Sequence, residues 1–265
     1  MPRTRIGPAA GALLCLAIAG CATPRRMPAI ELDEQRLSPE HHARLQATMA
    51  HLDPMIALRK RDGAANLLTW EQLYEPLDPD QRKFLDAFRR LKAESLGATS
   101  HFFGQIDAAD LVPVGAQQVM KNGALQPLDA QYLPRVVFDA YQLMMAAMEH
   151  DLGTRLLVES GYRSPAYQLY LFLHYLPNHD ESIRETNRHV ALPGYSEHGA
   201  PQRQAIDFIT PAGVNGEDHP EEFEALPEYA WLQADAGRFG FHLSYPQDNA
   251  QHTAFEPWHW HFESP

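Results

Sequence analysis

Four residues in two short stretches have the side-chain types that zinc hydrolysis uses. The stretch SEHGAPQRQAID carries His198 and Asp207, and Glu256-Pro257-Trp258-His259 supplies a second acid and a second imidazole near the C-terminus. Two imidazoles and one carboxylate hold zinc through three ligands and leave a coordination position open, while the remaining carboxylate is free to act as a base. Taken singly, each residue also has a plainer reading. Asp207 on a strand could be a buried carboxylate paired with an Arg, Glu256 a surface acid, and Trp258 and Trp260 simply core.

The elements that must position these residues can be read from apolar periodicity. Gln204 to Thr210 alternates as a strand, with Ala205, Asp207 and Ile209 on one face and Ile206 and Phe208 on the other. Trp258 to Phe262 is the last strand, placing Trp258, Trp260 and Phe262 toward the core and His259 and His261 toward the cleft. Leu156 to Ser160 is a further strand, and Ser164-Pro165 opens an apolar helix after it, so Arg163 sits at a strand-to-helix corner. Phe241 to Tyr245 is another strand, and Glu221 to Ala236 is helical. A helix from Leu128 or Gln131 to His150 carries Val136, Val137, Tyr141, Met144, Met145 and Met148, read as core, and Gly153 ends it. Leu111 to Val114 is a short edge strand. Mixed helices and strands without regular βαβ units predict an α+β class, a small antiparallel sheet with flanking helices.

Upstream, residues 39–107 read as a helical segment. Asp78-Pro79 starts one helix whose Phe84, Phe88 and Leu91 form an apolar stripe. His41, His42 and His51 have no converging acids or cysteines and read as solvated helix residues. The N-terminus has the order of a secretory signal: Arg3 and Arg5, an apolar run from Ala9 to Ala19, then small residues before Cys21. Ile18-Ala19-Gly20-Cys21 resembles a bacterial lipobox, which implies a removed segment over 1–20, a lipidated Cys21 and a polar tether over 21–38. With Ala22 rather than Asp after the Cys, the expected destination is the outer membrane, facing the periplasm. Cys15 falls in the removed segment, so no disulfide is expected.

Composition narrows the partners. The 265 residues are 45% apolar and 21% charged, a balance that suits a folded chain. A formal charge of −12 argues against nucleic acid, because no excess of cations could neutralise a phosphate backbone.

Ser160-Gly161-Tyr162-Arg163-Ser164, Ser196-Glu197-His198 with Ala205-Ile206-Asp207, and Glu256-Pro257-Trp258-His259 together resemble the ordered motifs of the VanY-type D-alanyl-D-alanine carboxypeptidases. That zinc-peptidase family also includes L-alanyl-D-glutamate endolysins. The resemblance covers residues 108–265, with Trp231-Leu232, Gly240-Phe241 and Tyr245-Pro246 adding to it. It implies that His198, Asp207 and His259 bind Zn2+, that Glu256 is the general base, and that Arg163 meets a substrate carbonyl or carboxylate. Gln168 and Ser196 are carried over as substrate contacts. It also implies peptidoglycan stem peptides as substrate and removal of a terminal D-alanine as reaction. An endopeptidase of the same family, and a non-catalytic peptidoglycan-binding lipoprotein, are the alternatives. One feature departs from the pattern: Asp207 stands nine residues after His198 and Gly199 follows the His directly, which reads as a two-residue insertion altering Pro201 to Gln204. His261 is expected to support or line the cleft rather than to bind metal.

Overall fold

Prolines and short polar caps decide where the helices begin. The structure, a computed structural model, describes residues 1, 30–97, 101–104, 110–249 and 253–264. Ser38 accepts a hydrogen bond from the His41 amide, and Pro39 occupies the first turn of α1 (Pro39–Arg61), where a missing N–H costs nothing. A 3₁₀ turn, Ala65–Leu67, leads to α2 (Trp70–Tyr74) and α3 (Pro79–Arg89). Asp78 and Gln81 close a reciprocal capping box at the start of α3. The strand β1 (Leu111–Pro113) is followed by a hairpin of β2 (Gln118–Lys121) and β3 (Ala124–Pro127). The strand β4 (Tyr132–Pro134) pairs back onto β1.

The helix α4 (Arg135–Leu152) starts at Pro134, later than its apolar pattern suggests, because Tyr132 and Leu133 are used by β4. Val137, Tyr141, Met144, Met145 and Met148 are buried as expected, whereas Val136 faces solvent. Next come β5 (Leu157–Ser160), α5 (Pro165–Tyr175), α6 (Ile183–Thr186) and β6 (Ala205–Ile209). The helical stretch expected over 221–236 is two helices, α7 (Pro220–Glu224) and α8 (Pro227–Asp235), because Pro227 cannot continue the first and instead opens the second. The strands β7 (Phe241–Leu243) and β8 (His259–Phe262) complete the chain.

Four strands form an antiparallel sheet in the order β5-β6-β8-β7, which is the expected α+β class. Helix α4 packs its Met-rich face on this sheet, joining Val158, Phe208, Trp260 and Phe262 in one apolar core. A second core forms where α1 and α3 meet α5, with Phe84, Phe88 and Phe172 in contact. The N-terminal helical segment is therefore packed against the helix that follows Arg163.

Residues 30–38 differ from the expected tether. Ile30, Leu32 and Leu37 pack on the second core, the Leu37 amide donates to the Glu181 carbonyl, and Glu34 pairs with Arg184 at 2.9 Å. His42 pairs with Glu181 and His51 with Gln81, so two of the upstream histidines fasten this segment rather than standing free. Cys21, the expected signal over 1–20 apart from Met1, and the expected boundary between 107 and 108 lie outside the described residues. No helix among the described residues is long and apolar enough to cross a membrane.

Candidate metal centre

Strand register does most of the assembly. Asp207 lies opposite His259 across the β6–β8 pair, and opposite Ser160 across the β5–β6 pair. Directly opposed residues hold their Cβ atoms about 5 Å apart, so two candidate ligands meet by pairing alone. His198 arrives from the other side, on a 3₁₀ turn (Glu197–Gly199) in which its own amide donates to Ser196 Oγ. Ligand atoms of His198, Asp207 and His259 all lie within 4.8 Å of one another.

Each imidazole is aimed by a hydrogen bond on its other nitrogen. His198 Nδ1 lies 2.7 Å from the Gly161 carbonyl, which fixes the proton there and leaves Nε2 as a lone pair. That Nε2 is buried, makes no hydrogen bond, and stands 3.1 Å from Asp207 Oδ2. A buried imidazole nitrogen with no proton to donate and an acidic oxygen 3.1 Å away is suited to a cation, so the residues fit a metal. His259 presents Nδ1 to Asp207 Oδ1 at 2.8 Å and Nε2 to Glu197 Oε2 at 3.1 Å. Glu197 thus does for His259 what the Gly161 carbonyl does for His198.

Glu197 was visible in the sequence but had no assigned role. It is buried beside Arg203 Nε at 2.7 Å and accepts from Ser244 Oγ at 2.5 Å. Ser244 Oγ in turn lies 2.7 Å from His261 Nδ1, so His261 supports the carboxylate that holds His259 and sits outside the ligand set. Arg203 comes from the altered stretch Pro201 to Gln204 and also pairs with Glu263. The longer loop therefore returns a cation to the base of the site.

Arg163 reaches the centre from the β5–α5 corner. It donates to Asp207 Oδ2 at 3.2 Å and to Gln168 Oε1 at 3.2 Å, while its Nε is buried without a partner. The plain reading of Asp207 as a carboxylate paired with an Arg therefore holds alongside the metal reading, both side chains being largely but not fully buried. Gln168 is buried behind Arg163, its Nε2 donating to the Ala191 carbonyl at 2.8 Å, and it holds the guanidinium rather than facing the open side. Ser196 is likewise engaged in capping the turn of His198. The residues expected to contact substrate thus also act within the fold, Gln168 on Arg163 and Ser196 Oγ as acceptor for the His198 amide.

Glu256 Oε2 lies 3.6 Å from His259 Nδ1. Burial is the largest influence on its carboxyl and, with Asp207 adding to it against His259, lifts the pKa to about 7. Burial lowers His198 to about 4, Arg163 pressing the same way, so this ring is neutral near pH 7. His259 goes the other way: burial works against its charge, yet Asp207 and Glu197 raise it to about 10. Burial would raise Asp207, but His198 and His259 hold it well below the usual carboxylate range. Glu197 is brought down to about 2, because the hydrogen bond and charge of His259 outweigh burial. The Tyr245 ring, 4.9 Å from that of His259, closes one side of the cluster.

Gly161 permits the closest approach in the corner. A Cβ there would lie 2.5 Å from the Tyr132 carbonyl oxygen, a distance no side chain could occupy without moving β4.

Residues 130–265 match a protein-family model described as VanY, D-alanyl-D-alanine carboxypeptidase. YodJ of Bacillus subtilis (strain 168), whose name assigns it to the carboxypeptidases, is 30% identical over 136 residues, covering 51% of this chain and 47% of the relative. A D-alanyl-D-alanine carboxypeptidase of Enterococcus faecium is 28% identical over 155 residues, covering 57% and 44%. The chain thus matches less than half the length of either relative. Among solved structures, the LdcB LD-carboxypeptidase superposes with a TM-score of 0.47 at 28% identity, over 59% of this chain and 69% of that one. A variant of the vancomycin-resistance D,D-pentapeptidase VanY from a VanB-type cassette, solved with Zn(II), has a TM-score of 0.42 at 23% identity, over 57% and 79%.

Proposed function

The chain belongs to the VanY family of D-alanyl-D-alanine carboxypeptidases, and from that premise we propose that it is a zinc-dependent peptidase removing the terminal D-alanine of peptidoglycan stem peptides. The observation that carries the reading is the His198 Nε2 lone pair, buried without a hydrogen bond and converging with Asp207 and His259. His198, Asp207 and His259 would hold zinc, which would supply Lewis acidity and make water at the site more acidic.

The chain's own groups divide the remaining work. Glu256, with a carboxyl lifted to about 7 by burial, accepts the proton of the water that attacks the carbonyl carbon and passes it to the departing amine as the C–N bond breaks. Arg163 is held in place by Gln168, and its remaining guanidinium donors meet the substrate carbonyl or terminal carboxylate. Glu197 keeps His259 in the tautomer with Nδ1 toward Asp207.

Defined muropeptides test this. Incubated with the zinc-loaded protein, a pentapeptide stem should lose one alanine by mass. Cleavage only within the stem or cross-link would make it an endopeptidase, and binding without any cleavage would make it a peptidoglycan-binding module.

We also propose that Cys21 carries a lipid that holds the protein on the outer membrane, facing the periplasm. The support is the order Arg3, Arg5, apolar run and Ile18-Ala19-Gly20-Cys21.

A further inference from the structure

The N-terminal helical segment lies upstream of the family match, yet it is hydrogen-bonded into the corner that carries Arg163. Asn66 is buried, 6% exposed, in the 3₁₀ turn between α1 and α2. Its Nδ2 donates to Gln131 Oε1 at 2.8 Å and to the Ala130 carbonyl at 3.2 Å. Gln131 Oε1 also accepts from the Gly161 amide at 3.0 Å, and the carbonyl of the same Gly161 receives His198 Nδ1 at 2.7 Å. On its main chain, Asn66 accepts from the Ser164 amide at 2.9 Å, while Ser164 Oγ donates to the Leu68 carbonyl at 2.6 Å. Arg163 thus lies between two residues tied to this relay, and its own amide donates to the His198 carbonyl at 3.0 Å.

Gly161 is where the relay becomes rigid. Its amide is fixed by Gln131, its carbonyl aims His198, and the Tyr132 carbonyl lies so close that a Cβ at this position would meet it at 2.5 Å. Removing the Asn66 amide frees the Gln131 carboxamide to turn, and a turned carboxamide presents no acceptor to the Gly161 amide.

We propose that Asn66 is a positioning residue for the metal centre, acting through Gln131 and Gly161 on the ring of His198. The segment that carries it is then part of the working site, not an appendage beside it. This rests on the zinc-peptidase reading.

The test uses the full chain and the variants Asn66→Ala, Gln131→Met, their double, and Leu52→Ala, which loosens the same helical core but carries no member of the relay. Zinc affinity is read by chelator competition, and kcat/KM on a pentapeptide muropeptide, at a temperature where every variant is folded. Asn66→Ala and Gln131→Met should each weaken zinc roughly tenfold and lower kcat/KM by about as much, the scale seen when support behind a ligand is lost. The double should cost no more than the worse single variant, because both cut one relay. Leu52→Ala should lower the melting temperature and leave zinc affinity unchanged.

Wild-type zinc affinity in Asn66→Ala, additive costs in the double, or an equal zinc loss in Leu52→Ala would overturn the relay while leaving the peptidase reading intact. A wild-type chain that holds no zinc overturns both. Should Asn66→Ala not fold, Asn66→Leu replaces it, since that change keeps a branched side chain and the main-chain bond and removes the Nδ2 donor without burying a charge.

Discussion

pH is the perturbation to which the metal centre should respond most steeply, and His259 is the reason. Of the three candidate ligands, only His259 carries a proton on its metal-facing atom at pH 7 in the metal-free protein: His198 is lowered to about 4 by burial, which leaves its Nε2 bare, and Asp207 stays ionised. Zinc must displace that proton from Nδ1. With a pKa of about 10, the displacement costs about three units at pH 7, or roughly 4 kcal/mol at about 1.4 kcal/mol per unit. Apparent zinc affinity should therefore rise about tenfold per pH unit between 7 and 9. The same group sets the stability of the metal-free fold. Because His259 is raised from 6.5, its contribution is complete below about 6.5 and drains away as pH rises through about 10. Calorimetric zinc titrations in buffers of different ionisation enthalpy should count about one proton released at pH 7. Thermal unfolding should show the metal-free protein, but not the zinc-loaded one, losing stability from pH 7 to 10. Zinc uptake with no proton release and a flat pH profile would show that His259 is not the protonated ligand.

Glu197→Gln removes the charge behind His259 but keeps its size; zinc affinity by chelator competition should fall roughly 10- to 100-fold, with affinity unchanged as the contrary result. Phe88→Ala opens the core shared by α1, α3 and α5, and should cost about 3–5 kcal/mol in denaturant unfolding. Cys21→Ser should move the protein from membrane to soluble fractions in its native host; unchanged fractionation would contradict the lipid anchor.

Much of the centre was legible because its geometry follows from strand alternation. Asp207 and His259 sit on runs whose apolar residues fix which face each presents, and pairing then brings them together. Glu197 was harder to assign. It adjoins His198 in the sequence, but its function lies in a bond to a ring 62 residues away, and no local period reports such a contact. The relay through Asn66 and Gln131 is hidden for the same reason: side-chain amides pair without periodicity. Gln168 and Ser196 were recognisable as motif neighbours, but motif position does not say whether a polar atom is free or already bonded. Ile30, Leu32 and Leu37 are scattered among charges, so their packing escapes a reading based on apolar runs. Pro227, by contrast, was a visible helix start that the apolar pattern around it obscured.

In the proposed enzyme Glu256 works beside a bound zinc without holding it. Metal content and alanine release from a pentapeptide muropeptide should be measured together for wild type and Glu256→Gln. Both proteins should hold about one zinc, with release slowed at least about 100-fold in the variant. Undiminished release by Glu256→Gln, or zinc-loaded wild type that releases no alanine, would contradict this.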